Sequence, residues 1–231
     1  MCLRIIRKEN FSIGRDSRGE TCRPSLDTGR FEASPKASGC SSSTRGEYEE
    51  RLYTEGPTEW LSEKENLGLD FPNLPYYIED DLKLSQSMAI LKHVGRKHGL
   101  CGTTDAERTN IDMLAHVADD IRLHYSLFVY QNYKTQKIEY TRRMHVTGNR
   151  LSQYLGNKKW FMGDTITVVD FLMYELLDIH LKVKDDWLKD FSNLQEFHKR
   201  FEALPAIQEY MASPRFIPAP LNGPSAQFDI V

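Results

Sequence analysis

Long apolar runs are missing from this sequence. No stretch of its 231 residues approaches the ~20 apolar residues of a membrane-crossing helix, so no membrane partner is expected. Cysteine is scarce too. Cys2, Cys22, Cys40 and Cys101 have no CxxC spacing, which argues against a zinc ribbon or a disulfide framework and for a reduced, cytoplasmic setting. The seven histidines show no metal-ligand spacing, and no metal or resident cofactor is expected. Excess charge of one sign is lacking: the net charge is −3 and the pI about 6.2, so nothing global calls for nucleic acid. The first residues, Met1 to Lys8, hold charges but no apolar stretch long enough for a signal peptide. Tyrosine is absent before Tyr48, although the whole chain has 11.

What is present divides into two unlike pieces near residue 46. Residues 1–45 carry seven Arg and two Lys against five acids, a local +4 that leaves −7 for the remainder. They hold only two aromatics, Phe11 and Phe31, and a run of small polar residues from Ser38 to Ser43. Neither a helical nor a strand period of apolar residues is sustained there. Such a segment buries too little apolar surface to offset its ordering entropy and is expected to be disordered. A basic nucleic-acid arm is the rival reading, with no interleaved aromatics to support it.

From residue 46 the patterns are those of a folded chain. Tyr48 to Tyr53 reads as a short strand, Glu59 to Glu65 as a helical turn around Trp60, and Asn73 to Asp80 as a strand entering a turn. Leu82 to Leu84 reads as its hairpin partner. Ser87 is the N-cap candidate of a helix that Arg96, Lys97 and His98 close before Gly99. Thr104 and Glu107 spell a capping box, with Ile111, Leu114, Ala118, Ile121, Tyr125 and Phe128 as the inward stripe behind it. Thr167 to Asp170 repeats that pattern before an apolar helix. A last helix spans about 193–204, followed by a proline-punctuated tail. The expected organisation is a segment 1–45, a small α/β domain over 46–101, and an all-helical domain over 102–231.

Several stretches in this order resemble the mu-class glutathione transferases: Trp60 to Lys64, Leu67 to Tyr76, Ser85 to Leu91, Arg96 to Gly102, Trp160 to Asp164, Ile166 to Phe171, and Arg215 to Pro218. The resemblance runs from about Tyr48 to about Leu221. It implies a thioredoxin-like domain, incomplete here, followed by an all-helical domain. It further implies a dimer of two such chains, or of this chain with another mu-class subunit. The implied activity is conjugation of reduced glutathione, a co-substrate, to hydrophobic electrophiles in detoxification.

By the same resemblance, Asn73, Leu74 and Pro75 meet the cysteinyl part of glutathione, with Pro75 a cis-proline. Gln86 and Ser87 hold the γ-glutamyl carboxylate, a role that a helix N-terminus also favours electrostatically. Trp60 and Lys64 hold the glycyl end. Asp120 reaches the ligand of the partner subunit, Tyr130 lines the electrophile pocket, and Phe71 inserts into the partner. Taken singly, each has a plainer reading. Trp60 and Tyr130 would be core aromatics, Lys64 and Asp120 solvated charges, Ser87 a helix cap, and Phe71 a loop anchor.

One departure matters chemically. A thiol of ordinary pKa, ~8.5, is mostly neutral at pH 7 and a poor nucleophile. Mu-class enzymes stabilise the thiolate with a tyrosine just after the first strand, and no tyrosine precedes Tyr48 here. Ser12 and Ser17 are the serine-type alternatives, without a strand-then-helix context, so the catalytic residue is unknown. The segment from Tyr53 to Trp60 is also short for the class, and no basic glutathione contact is visible in it. The expectation is a chain impaired in turnover and in folding, or a non-catalytic binding or heterodimerising relative.

Overall fold

The computed structural model describes residues 12–14, 49–51, 53, 57–214, 216–223 and 225–230. The chain forms two compact units, Met1–Leu100 and Cys101–Val231. In the first, β1 (Ser12–Gly14) pairs antiparallel with β2 (Glu49–Arg51), and β3 (Tyr76–Glu79) with β4 (Leu82–Ser85). Strand β1 falls within the segment 1–45 expected to be disordered. Three residues are too few for a two-residue apolar period to register in sequence. The remainder of 1–45 lies outside the described residues.

The β3–β4 hairpin turns over two residues, with Asp80 at φ 53°, a region that Asp tolerates better than most side chains. Between the two ladders lie α1 (Pro57–Glu63) and a single 3₁₀ turn, Lys64–Asn66. Helix α2 (Ser87–Lys97) buries Ile90, Leu91 and Val94. It ends as its sequence promised: Gly99, at φ +69°, donates to the Arg96 carbonyl and Leu100 to that of Gly95, the two bonds of a Schellman motif. Lys97 and His93 both reach the Glu79 carboxylate from α2. Burial works against ionisation of Glu79, yet these cationic and hydrogen-bonding partners hold its pKa below the usual value.

The second unit is helical: α3 (Asp105–Leu127), α4 (Tyr133–Leu155), α5 (Val168–Val183), α6 (Ser192–Glu202) and α7 (Pro205–Ala212). The box at Thr104 forms as expected. Glu107 accepts from the backbone N–H groups of Thr103 and Thr104 and from the Thr103 hydroxyl, which brings its pKa down to about 2. Between α3 and α4 the chain does not break but widens into a π-helix, Phe128–Asn132. The tail 221–230 fastens onto that turn. Gln227 donates its backbone N–H to Val129, and Phe228 stacks on Tyr133 at 4.9 Å.

Helix α5 is the centre of this unit. It packs against α3 and α6 and buries residues around its whole circumference, among them Val169, Leu172, Met173, Leu176 and Leu177. Its first turn is anchored by Asp170, which is fully buried. The Oδ1 atom accepts from the Phe161 N–H at 2.7 Å, while Oδ2 accepts from the Thr167 N–H at 2.7 Å and its hydroxyl at 3.2 Å. Desolvation pushes the Asp170 pKa up to about 6, against the opposing pull of these donors. Farther along, His180 is neutral by construction. Its Nε2 accepts from the Tyr140 hydroxyl at 2.8 Å, and Nδ1 donates to the Leu176 carbonyl at 2.5 Å. Burial lowers its pKa to about 4, with the Leu176 bond opposing.

Replacing Asp170 by Ala strands two buried backbone donors and is expected to cost about 2–4 kcal/mol, read as a lower urea midpoint with unchanged slope. His180 makes a pH-dependent contribution. Its folded pKa of about 4 lies below the ordinary histidine value, so the unfolded chain takes up the proton first as pH falls. Relative to a His180→Phe variant, the wild-type chain should therefore lose stability between about pH 6.5 and pH 4, by roughly 3 kcal/mol in all, and change little below that. Urea titrations of both proteins across that interval measure the difference.

Candidate functional site

The residues singled out between Trp60 and Ser87 lie far apart in sequence, and the hairpin register brings them together. Tyr76 pairs with Ser85, which places Leu74 and Pro75, before β3, at the same end of the ladder as Gln86 and Ser87, after β4. The Leu74–Pro75 peptide is cis. Asn73 turns its own Oδ1 back to the Leu74 N–H at 3.0 Å, and Leu74 and Pro75 are buried.

Gln86 stands at φ 70° and ψ 106°, a conformation that side-chain-bearing residues rarely adopt. This corrects the expected cap. Gln86 is the N-cap of α2 and Ser87 its first helical residue, because the chain breaks sharply at Gln86 before helical geometry begins. The Gln86 side chain makes no capping hydrogen bond. The first N–H groups of α2, with the positive end of its dipole, form a concentration of donors suited to a carboxylate.

Trp60 is half-buried on α1 and rests against the same end of the hairpin. Its ring stacks on Tyr76 at 5.9 Å and meets Tyr53 edge-on at 5.3 Å. Three residues that sequence reasoning did not single out as functional fix this arrangement. Tyr53 is fully buried and donates to Glu63 Oε2 at 2.7 Å, and its hydroxyl lies 3.3 Å from that of Tyr76. Arg51 closes on the same Glu63 oxygen at 2.7 Å and covers the Tyr53 ring. Only the aromatic content of these stretches hinted at them. Lys64, one residue beyond α1, is 3.4 Å from Glu65, with its side chain 30% exposed. Its cation is therefore accessible for a second anion.

The other singled-out residues stand elsewhere. Phe71 lies in the bend before the cis bond, and 76% of its surface is exposed. Asp120 is exposed on α3, while its neighbour Asp119 is bound to Arg122 at 2.7 Å. Tyr130 sits in the π-helix, where its hydroxyl accepts the Gly223 N–H at 2.7 Å, leaving its own proton to donate. π-helical turns of this kind are frequent at functional sites. Ser12 is in β1, and Ser17 lies outside the described residues.

Both units match known families. Residues 43–96 match the N-terminal domain of glutathione S-transferases, and residues 119–214 match their C-terminal domain. The sequence is 43% identical over 185 residues to glutathione S-transferase Mu 4 of Mus musculus, covering 77% of this chain and 85% of that protein. It is 42% identical over 184 residues to the class-mu 26 kDa isozyme 7 of Fasciola hepatica, covering 79% and 84%. Among solved structures, glutathione S-transferase Blo t 8 superposes with a TM-score of 0.69 at 33% identity, over 75% of this chain and 83% of that one. The chain belongs to the mu class of glutathione S-transferases.

The Tyr53–Glu63 bond supports Trp60 through a buried hydroxyl. Tyr53→Phe should cost about 1–2 kcal/mol in urea denaturation, since the carboxylate loses one of its donors and the ring remains.

Proposed function

We propose that this chain binds reduced glutathione through its first unit and presents it to hydrophobic electrophiles, as a detoxifying transferase does. The observation that carries the reading is the hairpin register, which sets Leu74 and Pro75 beside Gln86 and Ser87. There the extended peptide of glutathione can pair its cysteinyl backbone with Leu74. Its γ-glutamyl carboxylate can take the donors of Ser87 and the α2 N-terminus. Trp60 and Lys64 flank the opposite end, the lysine matching the glycyl carboxylate in charge, and Asn73 holds the loop. Glutathione serves as co-substrate, and the proposed reaction needs no resident cofactor.

Catalysis then rests on what lowers the thiol pKa and steadies charge in the transition state. Tyr130 is the hydroxyl assigned to the electrophile side; its bond from Gly223 makes it a better donor. Asp120 is assigned to the ligand held by a partner subunit. Phe71 is assigned to the partner contact. Its exposure, together with that of Met113, Val117, Leu123 and Leu127 on α3, supports association with a second copy or another mu-class subunit. A cytoplasmic location goes with this reading.

The absence of any tyrosine before Tyr48 favours a second reading, in which this chain binds glutathione or apolar ligands without turning them over. Binding and turnover separate the two. In calorimetry the full chain should bind glutathione, and Ser87→Ala should weaken that binding about tenfold, the equivalent of one hydrogen bond to a charged group. Conjugation to a chlorinated dinitrobenzene should run about 10²-fold or more below an ordinary mu enzyme, the typical cost of one missing transition-state donor. Ordinary turnover would show that another group activates the thiol. No binding of glutathione by a folded chain would overturn both readings.

A further inference from the structure

We propose that Asp178, His198 and Glu202 form a binding site for a divalent transition metal, with zinc as the reference ion, in the helical unit. The three lie on two helices, Asp178 on α5 and the other two one turn apart on α6. One potential ligand atom from each falls within 4.8 Å of the others, the one such triad among the described residues. The expectation of no metal-type histidine spacing concerned sequence alone. Here the third ligand stands 20 residues upstream, and only helix packing delivers it.

The geometry is poor for hydrogen bonding and good for a shared cation. His198 Nε2 lies 3.6 Å from Asp178 Oδ1, and Nδ1 lies 3.8 Å from Glu202 Oε2, both beyond hydrogen-bond range. A metal takes only one of the two ring nitrogens. With one ligand atom per residue the three lie within 4.8 Å of one another, against roughly 3.3 Å between two ligands on one tetrahedral metal, so Glu202 and Asp178 must close toward the same nitrogen by about 1.5 Å or less. His198 Nε2 is buried and makes no hydrogen bond, an unusual state for a ring nitrogen. The side chains of His198 and Asp178 are only 12% and 13% exposed, which limits competition from water.

An outer shell is in place. Tyr174 donates to Glu202 Oε1 at 2.9 Å, orienting the carboxylate and leaving Oε2 toward the histidine. The same ring lies over the imidazole at 4.8 Å between centroids. His198 also lines a cleft of about 300 Å³ together with Leu181, Asp185 and Lys199. One nitrogen and two carboxylates, with water completing the shell, suit zinc and its first-row neighbours better than calcium, which prefers oxygen alone. Lys182 Nζ, 3.7 Å from Asp178 Oδ1, is the competing cation, and 40% exposure of its side chain lets it swing away.

The test is calorimetric titration of the full, chelator-stripped chain with zinc, together with the visible spectrum of the cobalt form. One equivalent should bind at this site. Binding should weaken at least about tenfold in His198→Gln and in Asp178→Asn, and about tenfold in Tyr174→Phe, as outer-shell losses do. It should tighten in Lys182→Gln, which removes the competing charge; a mere ion-pair network would give no such gain. His145→Gln, at an exposed pair with Asp190, should leave binding unchanged. Zinc binding that survives both His198→Gln and Asp178→Asn, as it would if the cysteines before residue 46 held it, overturns the proposal. So does the absence of one-to-one binding. Should His198→Gln fail to fold by circular dichroism, Asp178→Asn and Lys182→Gln decide the matter in opposite directions.

Discussion

The helical unit depends on one buried carboxylate. Asp170 takes two backbone N–H groups and a hydroxyl that would otherwise be stranded in an apolar interior, and so joins the 160–167 loop to the start of α5. Because α5 buries most of its length, the direction in which it leaves that loop sets where α3 and α6 can pack. The arrangement carries a tension. Burial disfavours the charged acid, while the donors around it favour it, and the balance leaves a pKa of about 6. Lower on the same helix His180 meets the same desolvation and resolves it by staying neutral between Tyr140 and Leu176.

The first unit is organised around a hairpin and an aromatic contact. Pairing of Tyr76 with Ser85 holds a cis-proline loop and a helix N-terminus side by side, and Trp60 is kept against that end by Tyr53 and Tyr76. In the proposed function these elements bind and orient a peptide-like anion. They do not by themselves generate a thiolate, which requires a donor or positive charge at the sulfur. Binding and chemistry are thus separable here. The proposed binding residues lie in stretches that resemble the mu class, while no tyrosine precedes Tyr48.

Much of the fold was legible because its signals are local. Thr104 and Glu107 announced α3, Thr167 and Asp170 announced α5, and Gly99 ended α2 in the Schellman geometry that a glycine permits. Features that depend on a single residue's dihedral angles or on distant packing were not. Ser87 reads as a cap by composition, yet the backbone break falls one residue earlier, at Gln86. The π-helix at 128–132 is held by a tail roughly 90 residues farther along, through Gln227 and Gly223, so no window of sequence could reveal it. Helix α7 follows the helix expected to be the last, and its Pro205 is well suited to the first helical turn. In the candidate site, similarity of motif pointed to Trp60, Lys64 and Ser87. Arg51 and Tyr53 belong to none of those motifs, and Glu63 lies within one without a role assigned from it; their hold on Trp60 emerged only as contacts.

By itself the sequence determined where α2, α3, α5 and α6 lie, the family, and the absence of the class tyrosine; it did not single out α4 or α7. Caps, periodicity and motif spelling are properties of neighbouring residues. Tertiary structure alone decided that Leu74 and Ser87 share one end of a hairpin, that His180 is buried and neutral, and that Asp178 stands beside His198 and Glu202. The physical reason is common to all three. Desolvation and the distances between charged or polar atoms depend on which faces pack together, and local pattern specifies each face without specifying its partner.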